Sequence, residues 1–479
     1  MNHLAVMTGT KRRQYLFIWA LAIWAFPMNA ACQVDGGAFT GTGSDVVARY
    51  FHAGGRLLSG PVMISGGLNL SILPPTLISR SDVSFFDPDS QTFSSLYEPL
   101  DGSGPVVVSL NTARSSHTQT TLHDGRVLIT GGDVNAMGTS PGTSFDGVEI
   151  FDPWTGDMSV GPSMSAARSM HTATLLPDGR VVAAGGSSWQ IFDPTDDTWS
   201  SNFPLNASRK AHAAVLLADF GGTVGDDRVL LIGGSGSAPA SLELLNPSLE
   251  TSQLMTSTLS VGVDDLAAIA LADGRVFIAG GQRPSIGNTV ANAYLYDPVA
   301  DVMTPVADVP NRAGGIADHQ IVRFADRVAI FGGEQEQGGV DTVLNYVAIF
   351  DASAEVWLAD GMMIHLHDDF VTVPLGACEL LIVGGGIPFL GQEFPSANTE
   401  LFTLSDSEQC LLGDLDNDGE VDGDDYQRFA PCLTGPESTV QPLDCVHLDL
   451  KTSDFDLDGD VDLVDFGRFV EGYGVGGTK

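Results

Sequence analysis

An apolar strand that ends in Gly-Gly recurs seven times along this chain of 479 residues. The copies end at Gly67, Gly132, Gly186, Gly234, Gly281, Gly333 and Gly385. A second apolar strand follows each copy and usually ends in an Asp-Pro turn, as in IFDP at 191–194. A supersecondary unit that repeats in this way cannot bury its faces alone, so neighbouring copies must stack. The pattern predicts seven similar β units packed side by side.

Each unit is predicted to hold four short strands, of which the outer strand often carries an aromatic residue such as Trp199 or Trp357. Asp-Pro favours a turn because Asp bonds its own backbone and Pro presets φ. The composition agrees, since 56 Gly and 25 Pro describe a turn-rich, mainly β protein. Four-stranded units that must cover both faces close into a ring, so the sequence predicts a seven-bladed β-propeller over residues 35–404.

The two ends of the repeat array complement one another. The seventh copy stops after its third strand, at Leu404, whereas residues 37–42 precede the first strand of the first unit. We predict that this N-terminal piece supplies the outer strand of the seventh blade and closes the ring.

The first strands of four units share the pattern Arg-x-x-His, and in two of them an Asp-Gly-Arg-Val hairpin follows. Asp-Gly between strands is typical of a tight hairpin turn. The four pairs are Arg49 with His52, Arg114 with His117, Arg168 with His171, and Arg209 with His212.

These motifs resemble the Kelch repeat, and RSMHTATLLPDGRV at 168–181 is similar to the propeller of the galactose oxidase and glyoxal oxidase group. That resemblance implies a copper site in which a ligand histidine follows a ligand tyrosine. Here Phe51, Ser116, Met170 and Ala211 precede the histidines, so the Tyr-His pair is missing. We favour a structural role for His52, His117, His171 and His212, inside each blade, over contact with a metal or another ligand. We therefore expect no copper.

His365 and His367, followed by Asp368 and Asp369, form the densest mixed cluster of the propeller region. Such a group could bind a divalent ion, but we favour a solvated loop. The chain has no Gly-x-Ser-x-Gly elbow, His-Glu-x-x-His helix or phosphate loop. A carboxylate pair for sugar hydrolysis stays open because the separation of the two groups is spatial. No catalytic residue can be named.

The chain carries a net charge of −38, which excludes nucleic-acid binding through a basic surface and favours cations. From Leu411 onward, 17 acidic residues stand against 4 basic ones. Two segments of this tail have oxygen ligands at the spacing of a twelve-residue calcium loop. The predicted ligands are Asp414, Asp416, Asp418, Glu420 through its carbonyl, Asp422 and Asp425 in the first loop, and Asp454, Asp456, Asp458, Asp460 through its carbonyl, Asp462 and Asp465 in the second.

Both loops have glycine at position 6, Gly419 and Gly459, where a calcium loop turns sharply. So many carboxylates would repel one another strongly without a cation. The regular spacing argues against a disordered acidic tail, and the sequence predicts two bound Ca²⁺ ions.

A short helical pattern follows each loop, but none precedes it, and this arrangement resembles the dockerin module over residues 413–474. The resemblance implies docking to a cohesin-type partner. Positions 10 and 11, which read the partner in that family, are Gly423-Asp424 and Leu463-Val464 here and leave the partner's identity open. An insert between the loops holds Cys432 and Cys445, which we expect to pair, while Cys378 and Cys410 could form a second disulfide.

Residues 1–31 are predicted to be a secretory signal, with basic residues 11–13, an apolar run over 15–26 and two small residues, Ala30 and Ala31. The run is short for a membrane span. Cys32 could carry a lipid, although Asn29 stands where a lipoprotein signal has an apolar residue. We expect a protein exported from the cytoplasm, without a membrane span.

Together these features predict a seven-bladed Kelch-like propeller, a linker over 405–412 and a small α-helical, dockerin-like calcium module over 413–479. We expect a secreted or cell-surface protein whose propeller binds a glycan or protein while the tail docks to a cohesin-like protein. The alternative is a secreted carbohydrate-active enzyme, either a glycoside hydrolase or a divergent copper-dependent oxidase.

Overall fold

A computed structural model describes residues 32–34, 37–72, 75–134, 143–324, 327–376, 379–389 and 392–404. This part of the chain is mainly β, and its helical structure is one 3₁₀ turn at Phe220–Gly222. None of its helices has the length and apolar character needed to cross a membrane.

Seven antiparallel sheets contain the blades of a seven-bladed propeller. Each blade has three or four principal strands in chain order, except that the outer strand of blade seven comes from the N-terminal side of the propeller. From the first strand at the centre to the fourth at the outside, the strands are Ala53–Arg56, Val62–Ser65, Pro75–Asp87 and Thr92–Ser94 in blade one; Thr118–Thr121, Val127–Thr130, Val148–Asp152 and Asp157–Val160 in blade two; Thr172–Leu175, the continuous run Val181–Asp193 and Thr198–Trp199 in blade three; Ala213–Leu217, Arg228–Ile232, Ser241–Asn246 and Thr251–Thr258 in blade four; Ala267–Ala270, Val276–Ala279, Ala293–Asp297 and Val302–Val306 in blade five; Gln320–Phe324, Arg327–Phe331, Tyr346–Asp351 and Val356–Met362 in blade six; and Val371–Gly376, Glu379–Val383, Thr399–Leu404 and Gly37–Gly41 in blade seven.

The remaining strands form short hairpins and connections between or beyond these blade strands. They are Cys32–Val34, Leu68–Ile72, Leu96–Tyr97, Val106–Val107, Ser109–Arg114, Asp133–Val134, Thr143–Ser144, Phe203–Lys210, Ser235–Gly236, Glu334–Gln337, Val340–Val343, Gly386–Phe389 and Gln392–Pro395.

The prediction for ring closure is confirmed. Gly37–Gly41 pairs antiparallel with Thr399–Leu404, with Phe39 opposite Phe402. Cys32–Val34 adds a fifth strand outside it. Blade seven thus combines strands from both ends of the propeller, so opening the ring requires breaking a strand pair.

The core lies between the blades, because the second and third strands are covered on both faces. Val127–Thr130 is buried along its whole length, as is Val276–Ala279. Aromatic side chains fill the interfaces, and the rings of Phe277 and Phe350, from blades five and six, lie 4.6 Å apart between centroids. Two-sided burial explains why these strands are continuous apolar runs in the sequence.

Each Gly-Gly pair joins its blade to the next one. The amide of the second glycine donates to a carbonyl just before the first strand of the following blade, as from Gly67 to Arg114 (2.9 Å) and from Gly132 to Arg168 (2.8 Å). The position of that carbonyl recurs in every blade, and it is occupied by Arg49, Arg114, Arg168, Arg209, Val263, Ile316 and His367.

The arginines at this position are buried and reach back into their own blade. Arg114 donates to the carbonyls of Gly131 (3.1 Å) and Gly147 (2.9 Å) and to Glu149 (2.6 Å). Arg209 makes the corresponding contacts with Gly233 (2.8 Å) and Glu243 (3.2 Å). Burial lowers the pKa of both arginines, and the neighbouring carboxylate opposes that change. One arginine therefore links the glycine turn of its own blade to that of the preceding blade.

We predict that Gly131→Ala lowers the free energy of unfolding by about 2 kcal/mol or more, because strained backbone and a steric clash add together. Gly131 has φ of 59°, and a Cβ there would lie 2.5 Å from the carbonyl oxygen of Arg168. Urea denaturation followed by tryptophan fluorescence measures the change.

Gly125→Ala is the matched control for Gly131→Ala. Gly125 has φ of 87°, but its added Cβ would find its nearest neighbour at 3.7 Å. This variant carries backbone strain alone, about 1 kcal/mol. Equal losses in the two variants would contradict the close packing of Gly131 against the next blade.

Candidate functional site

Seven residues form a ring around one end of the central channel, and a single residue separates each of them from the first strand of its blade. Six backbone hydrogen bonds of 2.8–3.2 Å run between them from blade to blade, each amide donating to the carbonyl of the preceding blade. We call this set the left-handed ring and this end of the channel the ring mouth. Its members are Phe51, Ser116, Met170, Ala211, Asp265, Asp318 and Asp369.

All seven residues have positive φ, between 48° and 53°. This conformation is uncommon for residues other than glycine, although Asp tolerates it better than most. It recurs in every blade because the chain must turn from the outer edge of one blade into the centre of the next while keeping the inter-blade hydrogen bond. The ring is therefore a fixed backbone frame that presents seven side chains.

Three consecutive members of the ring are acidic. Asp265, Asp318 and Asp369 belong to blades five, six and seven. Asp264 and Asp368 precede two of them in the chain and are buried. We call these five residues the acidic arc.

Burial and the charges of neighbouring carboxylates make two members of the acidic arc, Asp265 and Asp318, hard to ionise. Burial raises the pKa of Asp265 to about 7, with the charges of Asp264 and Glu334 adding to the effect. Burial also raises the pKa of Asp318 well above its usual range, helped by Asp265, Asp369 and other carboxylates. Asp265 and Asp318 therefore ionise less readily than an exposed aspartate does.

Residues from the loop of blade five and the hairpin of blade six lie beside the acidic arc. Asp264 pairs through its backbone with Gln282, with N–O distances of 2.9 and 2.8 Å. The amide group of Gln282 donates to Glu336 (2.9 Å) and to Glu334 (3.3 Å). The loop of blade five interlocks with the hairpin of blade six, since the Thr289 amide donates to the carbonyl of Glu336 at 3.0 Å. These contacts fix further carboxylates at the ring mouth.

The four histidines singled out in the sequence are brought to four separate blade interfaces. His117 lies 3.0 Å from Ser65 and His171 lies 2.9 Å from Thr130, in each case joining Nε2 to a hydroxyl of the preceding blade. His212 contacts Thr172 at 3.1 Å. His52 packs against Gly384, where an added Cβ would lie 2.7 Å from its ring. The partners thus lie across the interface, whereas we expected them within each blade.

These imidazoles are held in their neutral form. Burial lowers the pKa of His52, His171 and His212 to about 3, and the nearby arginine of the same motif adds to the effect in each case. His319 occupies the same place in blade six, and burial lowers its pKa to about 4. It has no arginine three residues before it, so the Arg-x-x-His pattern misses it.

The interpretation of residues 365–369 as a solvated loop is wrong. His367 is 0% exposed and Asp368 is 2% exposed. Nε2 of His367 lies 2.9 Å from Glu400, and its Nδ1 lies 2.7 Å from the carbonyl of Gly384. His367 stands in the arginine position of blade seven, and Glu400 takes the role that Glu149 has in blade two.

The predicted calcium ligands of residues 414–425 and 454–465, together with Cys432 and Cys445, lie outside the described residues. Within the described ranges, no three or more His, Cys, Asp and Glu side chains are grouped as a metal site.

Sequence reasoning missed Asp264, Asp265 and Asp318. The Arg-x-x-His pattern occurs in the first four blades and is missing from the fifth to the seventh, where these aspartates lie. The alignment of the units on their Gly-Gly strands carries the missing signal, because it places Asp265 and Asp369 at the position that Phe51 and Ser116 occupy in earlier blades, and Asp318 one residue from it.

No protein-family model matches this sequence, and no curated protein sequence is similar to it. Among solved structures, the chain is similar to one described as the structure of YjhT, with 13% sequence identity and a TM-score of 0.44. The match covers 75% of this chain and 96% of that one.

We predict that Asp265→Asn stabilises the propeller above neutral pH. An unfolded Asp ionises near pH 4, whereas Asp265 in the folded chain ionises at about 7. Between these values the folded state binds more protons, so stability falls as the pH rises, by at most about 1.4 kcal/mol per pH unit. Asparagine removes this loss, and urea unfolding at a series of pH values should show a gain that grows from pH 4 to 7 and then stays constant.

Glu250→Gln is the control for this measurement. Glu250 is exposed in a turn and also has positive φ, at 56°. Its substitution changes the charge equally but lies away from the acidic arc. A gain for Asp265→Asn that does not vary with pH would contradict the prediction.

Proposed function

We propose that this is a secreted or cell-surface binding protein, in which a Kelch-like propeller recognises a glycan or protein at the ring mouth and a calcium-loaded, dockerin-like tail docks to a cohesin-type partner. The observation that carries the proposal is the ring mouth itself, where a rigid backbone frame presents varied side chains beside a cluster of carboxylates. Blades one, two, six and seven also extend hairpins just after their Gly-Gly turns.

The distribution of polar groups supports this end of the channel as the binding end. The opposite end carries the Asp-Gly-Arg hairpins, whose arginines already have partners. Arg126 bonds Asp124 and Asp197 at 2.7 and 2.8 Å, and Arg275 bonds Asp273 and Glu355 at 2.7 and 2.6 Å. These contacts hold neighbouring turns together, whereas Asp265 and Asp318 repel their neighbours.

The sequence of residues 413–479 supports the docking half of the proposal. Ten carboxylates stand at matched positions of two loops, and glycine occupies position 6 in both. The basic and apolar segments at residues 1–31 support export, with a lipid at Cys32 as the alternative mode of retention. Cys432 and Cys445 lie close together in the sequence, and an oxidising compartment would allow a disulfide between them.

We predict that Asp414→Ala combined with Asp454→Ala abolishes high-affinity binding of two Ca²⁺ ions, because each change removes the position-1 ligand of a loop. Calorimetric titration of the full chain with CaCl₂ measures the stoichiometry. Removal of Ca²⁺ by a chelator, or the double substitution, should also eliminate capture of a cohesin domain.

Substitution of Asp424 and Asp444 by Ala provides the control, since these acidic residues of the tail are not assigned as ligands. Two ions should still bind to that variant. Undiminished docking after chelation would overturn the proposed role of the tail. A separate screen for glycan and protein ligands tests the proposed role of the propeller.

The second candidate function is a secreted carbohydrate-active enzyme, of which a specific observation favours the hydrolase form. Burial raises the pKa of Asp318 well above its usual range, and the charges of Asp265 and Asp369 add to the effect. A protonated carboxyl beside an ionised one is the arrangement that general acid catalysis of glycoside cleavage requires. For the copper-oxidase form, the four histidines offer no comparable support, since each lies at a different blade interface.

If the chain is a hydrolase, Asp318→Asn should lower the rate of reducing-end release from its polysaccharide substrate at least ~100-fold, because asparagine cannot transfer the proton. A panel of polysaccharides incubated with the calcium-loaded protein provides the measurement, and Glu250→Gln serves as the control. An unchanged rate in Asp318→Asn, or release from no polysaccharide, would contradict this candidate function.

A further inference from the structure

One tryptophan of the propeller is exposed, whereas the others take part in packing. Among the four tryptophans of the described ranges, Trp154 is 58% exposed and Trp189 is fully buried. Trp199 and Trp357 are half-buried, and their indole N–H groups donate to carbonyls at 2.9 and 2.8 Å. The indole N–H of Trp154 has no partner among the described residues. Trp154 therefore contributes little to the packing of its blade.

Trp154 lies in the turn between the third and fourth strands of blade two. This turn stands at the end of the channel opposite the ring mouth, because Phe151 pairs with Val127, which follows the Asp-Gly-Arg hairpin. The amide of Trp154 donates to Asp152 at 2.8 Å, and blade five has the same turn bond without a tryptophan. The equivalent residues of blades one and three to six are Asp89, Thr195, Ser248, Val299 and Ser353. The turn therefore does not require an aromatic residue.

An insertion between blades one and two lies beside this turn. The connection between these blades runs over residues 95–117, whereas the longest of the other connections are 200–212 and 307–319. The additional residues include a short ribbon, in which Leu96–Tyr97 pairs with Val106–Val107. Insertions into one unit of a repeat protein map to loops on one face, and such loops often form binding surfaces.

The tip of the ribbon is fixed against the turn that holds Trp154. The amide of Leu100 donates to the carbonyl of Pro153 at 3.3 Å, and the amide of Asp101 donates to the carbonyl of Trp154 at 3.0 Å. The exposed carboxylate of Asp101 accepts the amide of Ser103 at 2.8 Å. An exposed indole ring and an exposed carboxylate thus extend from backbone segments that are bonded to each other.

We propose that Trp154 is the stacking platform of a glycan site separate from the ring mouth, and that this site binds a neutral β-linked glucan. The indole ring offers a large, flat apolar surface with an N–H donor at its edge. A β-glucose ring complements it, because its hydroxyls are equatorial and its C–H groups cover both faces. The hydroxyls at the rim of the sugar then meet hydrogen-bond acceptors of the turn and the ribbon tip. This inference goes beyond the proposed function and does not rest on it.

The surroundings of Trp154 favour a sugar over a macromolecule of another class. The exposed side chains that follow it in the turn or lie on the ribbon tip are polar, and they include Asp101, Ser103 and Asp157. A tryptophan at the centre of a protein contact is instead surrounded by residues that exclude water. Carboxylates beside the ring would repel a nucleic acid. Indole faces also attract cations, so the experiment includes a cationic peptide.

Calorimetric titration of the calcium-loaded full-length protein with cellohexaose tests the proposal, and tryptophan fluorescence provides a second measurement. We expect the parent protein to bind cellohexaose with a shift of its emission to shorter wavelength. Trp154→Ala should weaken binding at least ~tenfold, because truncation of a tryptophan at the centre of a contact has an effect of this size. Trp154→Phe keeps an aromatic ring, so it should lose less affinity than Trp154→Ala and show no emission shift.

Val299→Ala is the matched control for the loss of an exposed apolar side chain. Val299 occupies the equivalent turn position of blade five and is 64% exposed. This variant should bind cellohexaose like the parent protein. Both Trp154 variants are expected to fold, since most of the indole ring is exposed, and thermal unfolding verifies this.

Absence of cellohexaose binding to the parent protein, or equal affinity of the parent and Trp154→Ala, would overturn the inference. Tighter binding of pentalysine than of cellohexaose would overturn it by assigning the indole to a cation. Self-association of the parent protein that Trp154→Ala abolishes would overturn it by assigning the indole to a protein contact. Each of these results leaves the proposed function of the ring mouth in place, because a glycan or protein ligand bound there does not depend on Trp154.

Discussion

The propeller depends on one contact between blades, the hydrogen bond from the second glycine of each Gly-Gly turn to the carbonyl just before the next blade begins. This bond needs a turn with positive φ and a close approach that a side chain would block, as the space around Gly131 shows. The arginine that supplies the carbonyl in four blades also binds the first glycine of its own blade, so a single residue ties two turns together. The other layers of contact, aromatic packing and the histidines, lie around this bond.

The residue that accepts the inter-blade hydrogen bond is part of a buried ion pair in some blades and is apolar in others. Arg114 pairs with Glu149, and their side chains are 1% and 2% exposed. In blades five and six, Val263 and Ile316 take the place of the arginine and still accept the inter-blade bond at 2.8 Å. A buried ion pair can be exchanged for apolar residues of similar volume without loss of the fold, whereas removal of one partner leaves an unsatisfied charge. The chain contains both solutions at equivalent positions.

The number of blades, their strands and the closing strand at Gly37–Gly41 could be predicted from the sequence, because each depends on local apolar runs and turns that repeat. The roles of Arg114 and His117 could not be predicted, since their partners are carbonyl and hydroxyl groups that only the packing of blades brings near. The acidic arc escaped prediction for a related reason. Asp265 and Asp318 are 53 residues apart in the sequence, and the ring of backbone bonds makes them neighbours. His367 is buried because it occupies the position that arginine has in the first four blades. The polar residues around it in the sequence suggest an exposed loop instead.

In the left-handed ring, the backbone groups that folding needs are separate from the side chains that the ring presents at the channel mouth. Its backbone bonds use amide and carbonyl groups that every residue type except proline provides, and Phe51, Ser116, Met170, Ala211 and three aspartates already occupy the seven positions. Under the proposed binding function, mutation at these sites would change ligand preference gradually, one blade at a time, while the inter-blade contacts stay intact. Selection on recognition and selection on stability act on different atoms of the same residues. The ring mouth is accordingly a suitable place to diversify binding in the laboratory, with seven positions around a single backbone frame.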